Sequence, residues 1–452
     1  MNDLQTSLNQ FFGFQTFRPG QEEIVRHLLA GENVLGILPT GSGKTLTYAL
    51  PALMRPGLTL VISPLISLME DQVQRLNKIQ KNCAVFLNSQ ENLAEQTAII
   101  QHLSQFKFLL LSPEMFQKPQ ILHRLAHLPV QLAVIDEAHC ISQWGFDFRP
   151  EYLFLKENLQ KINQPQILAL SATVTPMVKK DIGTFLFSGN FMTEKFPVER
   201  KNIGYIIEQC LDEQNRFEKL SQLLKTQHAA GIIYCNTRKK TETLTKSLQQ
   251  QGLLCSFYHG GLTSLERKKL QAQFQAGQLQ VMIATNAFGM GIDKPDIRFV
   301  IHYEQPATLE EYVQETGRCS RDGQPGFALM YVVTGDEAIH QHFAKRRKEN
   351  IPELAQTITR QNNSSQTLAF LNQKADFKTQ QQDLMQDFIA EKNCLRQQIA
   401  NYFHDPKPEQ VEKCCSFHGL KTEDYPSNQR PTLKENPANW QQRLANLFPK
   451  VQ

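Results

Sequence analysis

A chain of 452 residues has room for about three domains, and its 41% hydrophobic and 20% charged content is that of an ordinary α/β protein with ample core. A net charge of +4 is too mild to speak for nucleic acid unless it is clustered. Met1-Asn2-Asp3-Leu4-Gln5 lacks a signal peptide's basic start and apolar run, no stretch reaches the roughly 18 uncharged apolar residues of a membrane span, and nine cysteines make no disulfide framework at this length, so a cytoplasmic protein without a membrane partner is expected.

Phe12-Gly13-Phe14-Gln15-Thr16-Phe17-Arg18-Pro19-Gly20-Gln21 opens the chain, ahead of a helix-like stretch from Glu22 to Ala30. The Gln21 amide carries the donor and acceptor that read adenine, and Phe14 can stack on the same ring. A hydrophobic staple before a helix explains the pattern nearly as well. Val34-Leu35-Gly36-Ile37-Leu38 then reads as a buried strand, followed by Pro39-Thr40-Gly41-Ser42-Gly43-Lys44-Thr45. Small residues here let backbone N–H groups converge on a polyphosphate, and the next helix adds its positive end. Lys44 would reach the β and γ phosphates of ATP, and Thr45 would bind Mg²⁺. Leu38 stands where the usual first glycine of such a loop would be.

Three more apolar runs end in hydroxyl-bearing signatures: Ser63-Pro64-Leu65, Ser112-Pro113-Glu114 and Ser171-Ala172-Thr173. Such groups either touch the phosphates of a strand lying across the sheet top or cap helices. Leu132-Ala133-Val134-Ile135 is a further strand, and Asp136-Glu137-Ala138-His139 follows it. Two carboxylates at a strand's C-terminal end can hold Mg²⁺ and polarise an attacking water. Trp144, Phe146, Phe148 and Arg149 come next; rings stack on bases and guanidinium pairs with phosphate. Five strands, all functional at one edge, describe a doubly wound lobe.

Pro197-Val198-Glu199-Arg200-Lys201-Asn202-Ile203 reads as a linker, after which strand–helix alternation resumes. Strands ending at Cys235, Tyr258, Ala284, His302 and Tyr331 make a second five-strand sheet, with Asn236-Thr237-Arg238 and Thr285 at its tips. This half has no P-loop. It has Gln314-Glu315-Thr316-Gly317-Arg318-Cys319-Ser320-Arg321, whose two arginines, three apart, share a helical face. Facing the first lobe's nucleotide, one could stabilise transferring phosphate; otherwise they pair with acidic neighbours on an exposed helix.

Together these stretches resemble a superfamily 2 helicase core, and specifically the RecQ DNA helicases, over residues 12 to 323. The resemblance implies two tandem RecA-like doubly wound parallel-sheet lobes followed by a small helical zinc-binding subdomain. The boundaries expected are 1–200 and 201–335 for the lobes, 336–420 for the subdomain and 421–452 for a tail. It further implies that Phe14, Arg18 and Gln21 hold adenine, and that Thr40, Gly41, Ser42, Gly43, Lys44 and Thr45 hold phosphates and Mg²⁺. Asp136, Glu137 and His139 would serve metal and water, and Arg318 and Arg321 would close on the γ phosphate. Ser63, Pro64, Ser112, Trp144, Phe148, Arg149, Arg238 and Thr285 would touch DNA. The activity implied is 3′–5′ DNA unwinding in repair, recombination and replication on single-stranded and forked DNA, by a monomer at the nucleoid that could meet single-strand-binding or recombination proteins. A DNA-stimulated translocase with weak unwinding is the alternative. Phe146, Cys319-Ser320 and Lys201 depart from the family pattern, where histidine, Ala-Gly and proline are usual.

In the last quarter, Lys345-Arg346-Arg347-Lys348 is either a solvated helix face or a phosphate contact. RecQ proteins bind Zn²⁺ through four cysteines beyond this point. This chain offers Cys394, Cys414, Cys415 and His418, a competent tetrahedral set with His404 to spare, provided the adjacent Cys414 and Cys415 both turn inward. Trp440, Leu444, Leu447 and Phe448 recur at helical spacing in a tail expected to be too short for a winged helix.

Overall fold

The computed structural model describes residues 4–64, 66–88, 93–142, 150–289, 294–359 and 364–425. Its strands are β1 Val34–Ile37, β2 Leu58–Ile62, β3 Ala84–Leu87, β4 Phe108–Leu111, β5 Val130–Ile135, β6 Gln166–Ser171, β7 Met192–Lys195, β8 Ile203–Cys210, β9 Ala230–Tyr234, β10 Cys255–Tyr258, β11 Val281–Ala284, β12 Ile297–His302 and β13 Gly326–Val333. They form two sheets, ordered β3-β4-β2-β5-β6-β1-β7 and β10-β11-β9-β12-β13-β8. Every pairing is parallel, so each connection is a crossover, and the polar residues following the strands gather along one edge of each sheet.

Alternation along the strands sends side chains into two cores per lobe. Leu35 and Ile37 of β1 join one cluster with Leu60, Ile62 and Ile135, whereas Val34 joins the other with Val61, Val134 and Leu168. The two sheets have seven and six strands where the sequence pattern predicts five each. The additions are β3, β7 and β8. The β7 residues Met192-Thr193-Glu194-Lys195 carry no apolar signal, because this edge strand is held by its backbone pairing to β1. β8 pairs with β13 over eight residues and begins where the expected linker ends.

The helices Ala338–Thr359, Ser364–Ile389 and Leu395–Phe403 follow. Met385, Phe388, Leu395, Ile399 and Phe403 share one apolar cluster with Ile203, Tyr205 and Ile207 of β8. This helical module is therefore packed into the second lobe's core. Lys345 and Arg346 of the basic run are exposed on the first of these helices. Among the described residues no helix is long and apolar enough to cross a membrane. Trp440, Leu444, Leu447 and Phe448 lie outside the described residues.

Candidate functional site

The first lobe's site is built on the loop between β1 and the helix Lys44–Met54. Gly41 and Gly43 have φ of 82° and 80°, the left-handed region that glycine enters without a Cβ penalty. Gln21, 3% exposed, donates from Nε2 to the Ser42 carbonyl at 2.8 Å and the Gly43 carbonyl at 3.1 Å, and its Oε1 accepts from the Arg18 N–H at 3.0 Å. Arg18 Nη1 donates to the Gly41 carbonyl at 2.8 Å. Both ends of Gln21, expected to read adenine, are engaged here on the Arg18 N–H and the P-loop carbonyls. Phe14 is 53% exposed and open to stacking.

At the tip of β5, Asp136 is buried, with Oδ1 accepting from the Glu137 N–H at 3.0 Å and Oδ2 facing Ser63 Oγ at 3.5 Å. Tyr152 donates to the Asp136 carbonyl at 2.9 Å. Burial and the neighbouring Glu137 carboxylate raise the Asp136 carboxyl, with Lys44 opposing. Burial acts on Glu137 the same way, yet Lys44, His139 and Arg318 together hold it below its ordinary value. His139 is fully buried, and desolvation lowers its pKa against the pull of Glu137; its Nδ1 lies 2.9 Å from Ser171 Oγ and 3.3 Å from Glu137 Oε2. Lys44 and both carboxylates are thus within one another's fields. Oxygen donors of Asp136 and Thr45 beside a lysine are a hard set that suits Mg²⁺.

The second lobe closes over this site. Gln314, on the helix Leu309–Thr316, donates to Thr173 Oγ1 at 3.0 Å and meets His139 Nε2 at 3.3 Å. A Cβ added to Gly317 would stand 2.5 Å from Thr40 Oγ1, and one added to Gly41 would stand 3.1 Å from Cγ and Cδ of Arg321. Arg318, 5% exposed, donates to the Gly289 carbonyl and lies within electrostatic reach of Glu137. Lys268 and Glu70 bridge the lobes at 2.6 Å.

Two family models match the chain: DEAD/DEAH box helicase over residues 18–182 and helicase conserved C-terminal domain over residues 215–323. A protein of Bacillus subtilis (strain 168) named probable ATP-dependent DNA helicase RecS is 42% identical over 359 residues, 79% of this chain and 72% of its own. The chain belongs to the RecQ family of ATP-dependent DNA helicases. The ATP-dependent DNA helicase RecQ of Haemophilus influenzae is 41% identical over 347 residues, 76% of this chain; this chain spans 55% of that longer relative. Among solved structures, S. cerevisiae Dbp5 bound to RNA and ADP BeF3 superimposes with a TM-score of 0.60 at 20% identity, over 76% of this chain and 91% of that one, which speaks for the two-lobed fold.

Against the RecQ pattern, the expected DNA contacts divide. Ser63, Pro64 and Ser112 are buried: Ser63 faces Asp136, and Ser112 accepts from the Met115 N–H as a helix cap. Arg238 is exposed at the start of the helix Arg238–Gln250. With Thr285, Asn236, Glu304 and His340 it lines a cavity of about 540 Å³ at the second sheet's strand tips. Trp144, Phe148 and Arg149 lie outside the described residues. Sequence reading missed Gln314 as an interlobe contact: it lies in the last turn of the helix Leu309–Thr316, just ahead of the turn that carries Arg318.

Cys394, Cys414, Cys415 and His418 converge, with all ligand atoms within 4.8 Å of one another. The sulfur–sulfur separations are 3.5, 3.8 and 3.8 Å, and Cys415 Sγ lies 3.4 Å from His418 Nδ1. A tetrahedron with Zn–S bonds of about 2.3 Å has edges of about 3.8 Å, whereas a disulfide needs about 2.05 Å. The residues therefore fit zinc, and adjacent Cys414 and Cys415 do both turn inward. Burial, then the neighbouring thiols, pushes Cys414 up to about 12. His404 stands apart as the left-handed cap of the helix Leu395–Phe403.

Proposed function

We propose that the chain is an ATP-dependent DNA helicase moving 3′ to 5′ on single-stranded DNA and opening forked duplexes in repair, recombination and replication, in the cytoplasm at the nucleoid. The observation carrying this reading is the seating of Arg321 on Gly41 of the P-loop, in the cleft that also holds Lys44, Asp136 and Glu137. Lys44 and the P-loop amides bind the triphosphate, while Phe14 and Arg18 flank its base. Asp136 and Thr45 would hold Mg²⁺, which neutralises phosphate charge when bound. Glu137, kept ionised by its cationic neighbours, accepts a hydrogen bond and then the proton from the attacking water as the bond to the γ phosphorus breaks and ADP leaves. Arg318 and Arg321 stabilise charge on the transferring phosphoryl group.

Because those arginines belong to the second lobe, a γ phosphate adds to the attraction between the lobes, and its loss weakens that attraction. A strand held across both sheet tips, against Arg238 and Thr285 of the second lobe, would be drawn along as the lobes open and close. The relatives' names as ATP-dependent DNA helicases support DNA as the track. The four-ligand cluster supports structural zinc.

Strand displacement on forks with a 3′ or a 5′ single-stranded arm, alongside DNA-stimulated ATP hydrolysis, tests the reading. Unwinding confined to the 3′ arm and abolished by Lys44→Ala is expected. Hydrolysis without displacement on either fork would leave a translocase, and hydrolysis indifferent to single-stranded DNA would sink the motor.

A further inference from the structure

The turn carrying the two arginines is held by a residue of the segment between the lobes. Arg200 Nη1 donates to the Gly317 carbonyl at 3.3 Å and the Cys319 carbonyl at 2.8 Å, and its Nη2 donates to the Ser320 carbonyl. These three carbonyls belong to the residues on either side of Arg318 and to the one before Arg321. A planar guanidinium is the side chain whose fork can take several carbonyls in fixed directions. Asn202 Nδ2 adds a bond to the Ser320 carbonyl at 2.9 Å and another to that of Gln324 at 2.8 Å.

The turn needs such holding. Ser320 has φ of 50°, a left-handed conformation that a residue with a Cβ resists, and it is fully buried there. Its N–H donates to the Ile297 carbonyl at 2.6 Å, and its Oγ accepts from Arg298 Nη1 at 3.2 Å. Arg200 is fixed in its turn. Arg396, 1% exposed, donates from Nη1 to the Arg200 carbonyl at 3.0 Å and from Nη2 to the Ile203 carbonyl at 2.6 Å, and pairs with Glu199. A continuous polar chain thus runs from the helical module, through the interlobe segment, to the backbone on which both arginines hang.

We propose that Arg200 is a positioning residue for ATP hydrolysis: it touches no phosphate and sets the backbone from which Arg318 and Arg321 reach the P-loop. The proposal rests on reading those arginines as the phosphate-facing groups. With the clamp gone, Ser320 relaxes toward the right-handed region and Arg321 leaves Gly41, while the nucleotide's own binding residues in the first lobe are untouched. The loss falls on kcat and spares KM for ATP.

The test is single-stranded-DNA-stimulated ATP hydrolysis by the full chain with Arg200→Gln, Arg321→Gln, the double variant, and Arg200→Gln combined with Ser320→Gly. Arg200→Gln is expected to lower kcat about 10- to 100-fold, the scale of a misplaced catalytic group, with KM for ATP held within about twofold. The double variant is expected to fall below Arg321→Gln by a smaller factor than Arg200→Gln causes in the wild type, because part of the clamp's effect runs through Arg321 and the rest through Arg318. Ser320→Gly, which takes the left-handed conformation freely, is expected to restore much of the loss in the Arg200→Gln chain. Multiplying effects in the double variant, or a rise in KM at unchanged kcat, would overturn the clamp. Wild-type hydrolysis by Arg321→Gln alone would overturn the reading beneath it, and is told apart because Arg200 is then intact. Should Arg200→Gln fail to fold, Asn202→Ala removes one bond to Ser320; an about threefold fall in kcat is expected, and an unchanged kcat would overturn the proposal.

Discussion

A Cβ built on Gly41 would lie 3.1 Å from both Cγ and Cδ of Arg321, so the second lobe's arginine turn is seated directly on the first lobe's P-loop. Gly317 meets Thr40 in the same way, at 2.5 Å from Oγ1. One small residue from each lobe makes the approach possible, and the interlobe cleft is closed where a triphosphate would be enclosed.

Gly317 separates crowding from backbone strain. Its φ is −61°, which alanine adopts freely, so Gly317→Ala puts a methyl group 2.5 Å from Thr40 Oγ1, with the Val313 carbonyl oxygen next at 3.1 Å. Hydrolysis stimulated by single-stranded DNA is expected to fall about tenfold, the cost of a catalytic group displaced by a fraction of an ångström, with little change in melting temperature. Thr40→Ala in the same chain should recover part of it. An unaltered rate would show that the lobes need not meet so closely.

Gln314 is the second thread between lobes, donating to Thr173 and meeting His139, which in turn touches Ser171 and Glu137. Gln314→Ala leaves every phosphate-binding residue in place and cuts this contact. Stimulated kcat is expected to drop about tenfold with single-stranded DNA affinity unchanged, measured by hydrolysis and by fluorescence anisotropy. A weakened affinity with normal kcat would move Gln314 from the nucleotide side of the machine to the DNA side.

What sequence could show and what it could not divides by range. The P-loop and the Asp136-Glu137-Ala138-His139 stretch were legible because each is a local device: an apolar run ends and the chemistry follows within a few residues. β7 was not, because Met192-Thr193-Glu194-Lys195 is an edge strand defined by pairing with β1 rather than by its own pattern. β8 was readable as apolar from Ile203 to Ile207 but was hidden behind the charged residues before it. Arg200 reads in the sequence as part of a linker, since nothing local announces three carbonyls more than 110 positions away. Gln21 is a case of a different kind: its residue type suggests a base-reading role, and only the fold shows that its amide also braces the Ser42 and Gly43 carbonyls.

His27 pins the β7 edge, with Nδ1 at 2.5 Å from Glu32 and Nε2 at 3.1 Å from Glu194. The Glu32 bond, then against it burial, then Glu194, raise its pKa above the usual histidine value. A raised value means the folded chain holds the proton more tightly than the unfolded one. The stabilisation is therefore complete below about pH 6.5 and lost as pH climbs through the raised value. Melting followed from about pH 6 to about pH 8.5 should show a decline about 1–2 °C steeper in the wild type than in His27→Gln. Parallel curves would mean that the pair does not hold this edge.

The metal cluster's reach is greater than its size. Cys415 is fully buried and bridges to Tyr205; the Tyr205 N–H donates to the Cys414 carbonyl at 3.2 Å, and the Ile207 N–H donates to Ser416 Oγ at 3.0 Å. The cluster's own backbone thus covers the outer edge of β8, the last strand of the second sheet. An uncovered parallel edge is a site for pairing with other chains. One zinc per chain is expected by metal analysis, and stripping it with a strong chelator should lower the melting temperature by about 5 °C or more and promote aggregation. Cys394→Ser should do the same without chelator, whereas His404→Ala, outside the cluster, should keep the metal. If the stripped chain melted where the loaded one does, the β8 edge would have to be secured by the apolar packing of Leu395, Ile399 and Phe403 alone.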